Sequence, residues 1–252
     1  MLNTYLTRTQ QLLQNPQAPN SLYATSDLTS YINQARGQLS GEGECIRVQG
    51  TLALVQGQRV YNFSSISIGT PSSTGVQGVI NARQVLRSVA SGFTWVRPRP
   101  FEWFTFYRLN NPVPQQGPVT EWSQYSQGAA PVPSQQASGG SIYVDPVPDQ
   151  AYSLQIDCVC YPLTLASDSD PEAIPFLWTD AVPYFAAYLA LLSAQSQARQ
   201  ADAERMFSRY TEFVNRARRF STPSILPTIY PQNPSPVRVN QLGIKTAAGG
   251  GG

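Results

Sequence analysis

The chain has 252 residues, 41% hydrophobic and only 13% charged, with a formal net charge of +2. That length can bury a core in one domain or in one carrying an insertion, while a charged share about half the usual suits a surface largely covered by neighbours. The chain has no histidine, which removes the usual general base and the commonest metal ligand. Cys45, Cys158 and Cys160 form no CxxC pattern, so they read as buried apolar thiols in a reducing compartment and argue against a zinc site. MLNTYLTRTQQLLQ is too polar for a signal peptide, and no stretch approaches the ~20 apolar residues of a membrane span. The charges are segregated. Residues 1–108 hold nine Arg against four acids, residues 109–198 hold eight acids and no base, and residues 199–252 hold seven Arg and Lys245 against three acids. Such blocks either pair within the fold, pair between identical subunits, or lie solvated at the surface.

Leu2, Leu6, Leu12 and Leu13 predict a first helix from Leu2 to Gln14, ended by Asn15-Pro16. A second starts at Thr25 or Ser26 as cap, with Asp27 in its first turn and Leu28, Ile32, Ala35 and Leu39 as its apolar stripe; Gly41 and Gly43 mark its end. The period then changes. Ile46–Leu54 and Val60–Phe63 flank Gln56-Gly57-Gln58 and read as a hairpin. Ser64–Gly78 reads as a loop, and Val79–Val89 as a strand in which helix stays open. Phe93–Arg108 is dense in aromatics and arginine, with a short helix from Pro100. Asn110–Gly140 is a long Pro/Gln/Gly/Ser stretch broken by Trp122 and Tyr125. Ser141–Asp145 and Tyr152–Tyr161 are strands joined by Pro146-Val147-Pro148-Asp149. Ser167–Pro171 is a polar turn, and helices follow from Glu172. Tyr184, Tyr188, Leu191 and Leu192 give one helical face, while Met206, Tyr210, Phe213, Ala217 and Phe220 form a close seam. Glu212 and Arg216 make an i, i+4 pair.

The last 33 residues, Phe220–Gly252, contain five prolines and end in four glycines. Ile225, Leu226, Ile229, Tyr230, Val237, Val239, Leu242 and Ile244 punctuate them. An extended segment with apolar teeth, able to span about 100 Å at full extension, lies along another protein rather than folding alone. The predicted class is α+β: a helical bundle from N-terminal helices (1–44) and C-terminal helices (172–219), an inserted β-sandwich-like subdomain (45–165, with the long loop 110–140), and an extended docking tail (220–252).

Catalytic patterns are sparse. Gly41-Glu42-Gly43 lacks the third glycine and the preceding strand of a dinucleotide fingerprint, no phosphate loop exists, and no GxSxG elbow is present. Asp168-Ser169-Asp170 with Glu172 can in principle hold a hard cation, but helix capping ahead of Pro171 is the stronger reading. Any two acids of 109–198 can be imagined as a glycosidase pair. The Trp95–Arg108 segment fits nucleic-acid stacking or, more simply, a core-edge helix with snorkelling arginines. Arg199, Arg205, Arg209, Arg216, Arg218 and Arg219 outnumber Asp202, Glu204 and Glu212. They suit a DNA-filled channel or the acidic block of a neighbour.

Several phrases resemble the head-to-tail adaptor of short-tailed bacteriophages, the family that includes tail tubular protein A. These are Leu22–Asn33 at the second-helix opening, Gly57-Gln58-Arg59-Val60-Tyr61 at the first hairpin, Ile142–Tyr152 as a strand–Pro-x-Pro–strand element, and Trp178–Tyr184 opening a helix. The resemblance implies a non-enzymatic protein without cofactor or metal. It implies a twelve-subunit ring in the virion neck, assembled in the host cytoplasm without a membrane. Its C-terminal segment would dock on the portal protein, its β region would meet the tail nozzle or fibres, and genomic DNA would pass through its bore. The alternative is a virion protein that binds or cleaves glycans through its Trp/Tyr-rich β region and paired acids. A third reading, a nozzle protein further down the tail, differs mainly in partner.

Overall fold

The computed structural model describes residues 1–15, 21–89, 92–106, 115–125, 139–193 and 197–221. Helix α1 (Leu2–Leu13) stops where Gln14 turns left-handed at φ 51°. Asn15 then closes the turn, its side-chain oxygen accepting from Leu22 N–H at 2.7 Å and its amide donating to the Tyr23 carbonyl. Helix α2 (Thr25–Gly43) buries Leu28, Ile32, Ala35 and Leu39, as the stripe predicts. The expected Thr25 or Ser26 cap is not made. Ala24 is the cap residue, in extended conformation, with no side-chain bond to the helix. Gly43 does not end α2 by breaking it. A Cβ there would stand 3.2 Å from the Cβ of Ala217, so this glycine lets α2 and the last helix approach closely, and the helix stops one residue later at left-handed Glu44.

Eight strands follow: β1 (Arg47–Leu54), β2 (Val60–Asn62), β3 (Ile66–Ser67), β4 (Val76–Val89), β5 (Gly92–Pro98), β6 (Glu121–Tyr125), β7 (Ser141–Asp145) and β8 (Tyr152–Pro162). They form one sheet in the order β2-β7-β6-β5-β4-β8-β1-β3, antiparallel except for the β5–β6 pair. The predicted hairpin between 46–54 and 60–63 is therefore wrong, because β1 pairs with β3 and β8 while β2 pairs with β7. Likewise β7 and β8, adjacent in sequence, are not paired with each other. The Asp145–Pro146 peptide between them is cis.

A flat sheet of eight strands at ~4.8 Å spacing would be about 34 Å wide. Yet its two end strands, β2 and β3, are joined by only the 3-10 turn Phe63–Ser65, which spans about 10 Å at most. The sheet must curl until its edges meet. Three register shifts along the β4–β8 pair supply the bending. Phe63, 2% exposed, sits where the edges meet and donates its N–H to the Gly140 carbonyl at 2.8 Å. A Cβ on Gly140 would fall 2.3 Å from the Phe63 ring, so only glycine fits there. The sandwich-like expectation thus becomes a single curled sheet whose inner face carries Leu52, Tyr61, Val85, Val96, Trp122, Ile142, Val144, Leu154 and Ile156, all buried in one cluster.

Two regions expected to be loop are structured. Ser64–Gly78 contains β3 and the short helix α3 (Pro71–Thr74), and β6 lies inside the 110–140 stretch. The expected short helix after Pro100 is α4 (Phe101–Phe104). The C-terminal helices begin later than Glu172. A 3-10 turn (Phe176–Trp178) precedes α5 (Ala181–Ser193), and α6 runs from Gln197 to Ser221. Helix α5 packs against α1, α2 and α6. Its buried side is Ala181, Val182, Phe185, Ala186, Ala187, Ala190 and Leu191, whereas Leu192, expected on the apolar face, is exposed. The many alanines let three helices crowd one. Phe176–Ser193, half of it buried, is also long and apolar enough, by length and composition alone, to cross a membrane. Met1–Ser221 form one unit with a core continuous from the helices into the sheet.

Candidate functional site

The segregated charges meet inside the fold. Five arginines of residues 1–108 each take an acid of residues 109–198: Arg8–Asp180, Arg36–Glu172, Arg47–Asp157, Arg59–Asp145 and Arg99–Glu121. A sixth acid, Asp168, takes the N-terminal ammonium. Of the three readings for the blocks, pairing within the chain accounts for most of the acidic block.

The most buried pair is Arg36–Glu172. Arg36 is 0% exposed. Its Nη2 and Nε donate to the Glu172 carboxylate at 2.9 and 3.1 Å, and Nη1 donates to the Leu163 carbonyl at 2.6 Å and to Asn33 Oδ1 at 3.2 Å. Asn33 also bridges both polar groups of Leu165. Helix α2 thereby pins the chain leaving β8. Burial and the neighbouring Glu172 carboxylate push the Tyr5 hydroxyl well above its ordinary value.

The acids that suggested a cation site point to different partners. Asp168 bonds the Met1 ammonium and Asn3 N–H, so it caps α1 rather than a following helix, and those bonds hold its carboxyl below the ordinary value. Asp170 accepts from Ala166 and Ser167 N–H, which lowers it likewise. Among the described residues no group of three or more His, Cys, Asp or Glu is placed to hold a metal. Burial pushes each of the Cys45, Cys158 and Cys160 thiols up to about 12. A neutral thiol is a poor nucleophile and a poor ligand.

The aromatic–arginine segment is divided between β5 and α4. Phe104 is fully buried, Phe101 packs on Tyr125 and Tyr143 with ring centres 4.9 and 5.0 Å away, and Arg99 bonds Glu121 and lies over the Trp103 ring at 5.1 Å. The core-edge reading accounts for these contacts. Arg108 lies outside the described residues.

The six candidate arginines of α6 are not equivalent. Arg199 donates to the Tyr23 hydroxyl and Arg218 to the Glu42 carbonyl, so both face the body. Arg205 pairs with Asp202 and Arg209 with Glu212, all at exposed positions, and Glu212 does not take Arg216 as expected. Arg216 and Arg219 are exposed and make no ion pair with any described residue. The tail candidates Ile225, Leu226, Ile229, Tyr230, Val237, Val239 and Leu242 lie outside the described residues. Helix α6 extends to Ser221, whose carbonyl accepts from Arg47 and whose hydroxyl donates to the Gly43 carbonyl. Phe220 and Ser221, expected in the tail, are therefore helical.

Sequence reasoning missed an apolar surface. Phe176 and Leu177 are 83% and 72% exposed on the 3-10 turn, and Phe220, 79% exposed, lies with its ring centre 5.7 Å from that of Trp178. Its only sequence signal is a run of three large apolar residues directly after Pro175. Beside it a groove of about 440 Å³ is lined by Cys45, Arg47, Glu172, Trp178 and Phe220.

The site thus combines carboxylates engaged by arginines, thiols held neutral, and large apolar side chains offered on a turn fixed between Pro175 and Thr179. A family model for the SU10 adaptor protein matches residues 3–227, and the chain belongs to that family. Membership gives it the structural role of a phage adaptor, a virion component associated with other head and tail proteins. No curated protein matches the chain.

Proposed function

We propose that the protein joins the DNA-filled head to the tail. Copies form a ring of about twelve under the portal, a number implied by the resemblance to short-tailed-phage adaptors, and DNA passes through its bore. The observation that carries this beyond family membership is the exposed Phe176–Leu177–Phe220 surface. Three large apolar side chains held in solvent mark a surface that is covered in the working assembly. The helices pack ring neighbours, and the curled sheet meets the nozzle or fibres. Residues 222–252 dock on the portal through Ile225, Leu226, Ile229, Tyr230, Val237, Val239 and Leu242. The matched stretch ends at residue 227, so Ile225 and Leu226 fall within it and the other five teeth lie beyond it.

The glycan-cleaving alternative draws less support. A general acid needs a raised carboxyl pKa, whereas Asp168 and Asp170 are lowered and five of the remaining acids are held by arginines. A chain ending at Ser221 tests the tail. It should keep the native circular-dichroism melt but no longer co-sediment with portal-bearing heads. Undiminished co-sedimentation of the shortened chain would remove the docking role of residues 222–252.

A further inference from the structure

Helix α6 buries Ala203, Tyr210, Val214 and Ala217 along one side. At 100° per residue, Arg205, Arg209, Arg216 and Arg219 share a narrow stripe pointing away from that side. Their spacing of four, seven and three residues covers about 21 Å of helix. The last-turn dipole gives a local reason for Arg219 but not for the residues one to four turns earlier.

The acidic block of a second copy has little to offer this stripe. Of the eight acids in 109–198, five already hold arginines and Asp168 holds the N-terminal ammonium. Asp170 is occupied by two backbone N–H groups. Of the eight, that leaves Asp149 alone with neither an ion pair nor a hydrogen bond to a described residue. The block that looks complementary in sequence is thus engaged within its own chain.

We propose that Arg205, Arg209, Arg216 and Arg219 form a contact surface for the phosphate backbone of double-stranded DNA. The proposal rests on the adaptor reading, which brings a duplex past the ring. A duplex carries one charge per ~1.7 Å of axis, so about twelve phosphates lie alongside 21 Å of α6. Asp202 and Glu212 share the stripe, 3.5 and 3.1 Å from Arg205 and Arg209. Exposed pairs of this kind are weak and open readily to a stronger anion. They also halve the net charge of the stripe, which suits a duplex that must slide rather than stay.

The test uses the full chain and a 30-base-pair duplex, with binding followed by fluorescence anisotropy between about 50 and 200 mM salt. Four phosphate contacts give a log–log salt slope of about −3.6, hence roughly 100-fold weaker binding over that range. The R205Q/R209Q/R216Q/R219Q variant should lose that slope and bind at least tenfold more weakly at low salt, with an unchanged far-UV spectrum. The D202N/E212Q variant should bind more tightly than the parent. Three results would overturn the proposal: a parent chain that does not bind the duplex at low salt, a quadruple variant with unaltered affinity and slope, or a quadruple variant that still binds DNA but no longer self-associates. The last assigns the stripe to contacts between copies. Co-sedimentation of the parent chain with portal-bearing heads, measured separately, reports on the adaptor reading itself.

Discussion

Replacing Arg36 with alanine should destabilise the body by about 3–5 kcal/mol, the cost of removing one partner of a buried ion pair. The geometry sets that size. Arg36 is 0% exposed and supplies five hydrogen bonds, three to Glu172, one to the Leu163 carbonyl and one to Asn33. Without it Glu172, whose side chain is only 10% exposed, loses its charged partner and keeps the Ile174 N–H at 2.9 Å. The orphaned Leu163 carbonyl alone accounts for about 1–3 kcal/mol. For a body of this size each kcal/mol moves Tm by roughly 2–4 °C, so R36A should melt about 6–20 °C lower. The R36M/E172L double variant removes both charges and should recover most of the loss. Urea melts of the parent, both single variants and the double variant complete a thermodynamic cycle. A cost for R36A below about 1 kcal/mol, or a double variant as unstable as the two single changes summed, would refute the assignment of this pair as the clasp between α2 and the chain after β8.

The three thiols, held at about 12 by burial, should resist a thiol-reactive disulfide reagent at pH 8 in the native protein and all react after denaturation; fast native labelling of Cys158 or Cys160 would contradict their packing. The Asp168 carboxyl is lowered by its bonds to the Met1 ammonium and Asn3, so its contribution is present above the ordinary carboxylate pKa and lost as pH falls through its folded value. D168N should accordingly be less stable than the parent at pH 6 and converge with it in strong acid; parallel pH–stability curves would sink that cap. F176S/L177S should melt within about 0.5 kcal/mol of the parent, because both side chains are already exposed, yet self-associate less; unchanged assembly would show that this surface is not an interface.

Local pattern made α1, α2, β4, β7 and β8 legible, because the stripe Leu28–Ile32–Ala35–Leu39 and the alternation Leu154–Ile156–Cys158 are each written within one element. Pairing was not legible. Gln56-Gly57-Gln58 looks like a hairpin turn, but Gly57 N–H goes to the Pro148 carbonyl and the Tyr61 hydroxyl takes Val55 N–H. Side-chain and long-range bonds there replace a local ladder. Strands β5 and β6 were hidden for a related reason. The aromatics around Trp95 fit helix or strand equally well, and Trp122 sits in a Pro- and Gln-rich stretch whose strand exists through pairing with β7. The charge blocks correctly signalled complementarity, but which arginine meets which acid is decided by a fold that brings Arg36 to Glu172 across 136 residues. The arginines of α6 were found because they crowd one helix. The Phe176–Leu177 surface was missed because exposure is a tertiary property that a short apolar run does not announce.

The native mass of the purified full chain, alone and with portal protein, tests the adaptor account most directly. The account predicts a closed ring near 330 kDa, about twelve times the 27.6 kDa of one chain, formed alone or on adding portal and bound to it. A chain that stays at 27.6 kDa in the presence of portal would contradict it.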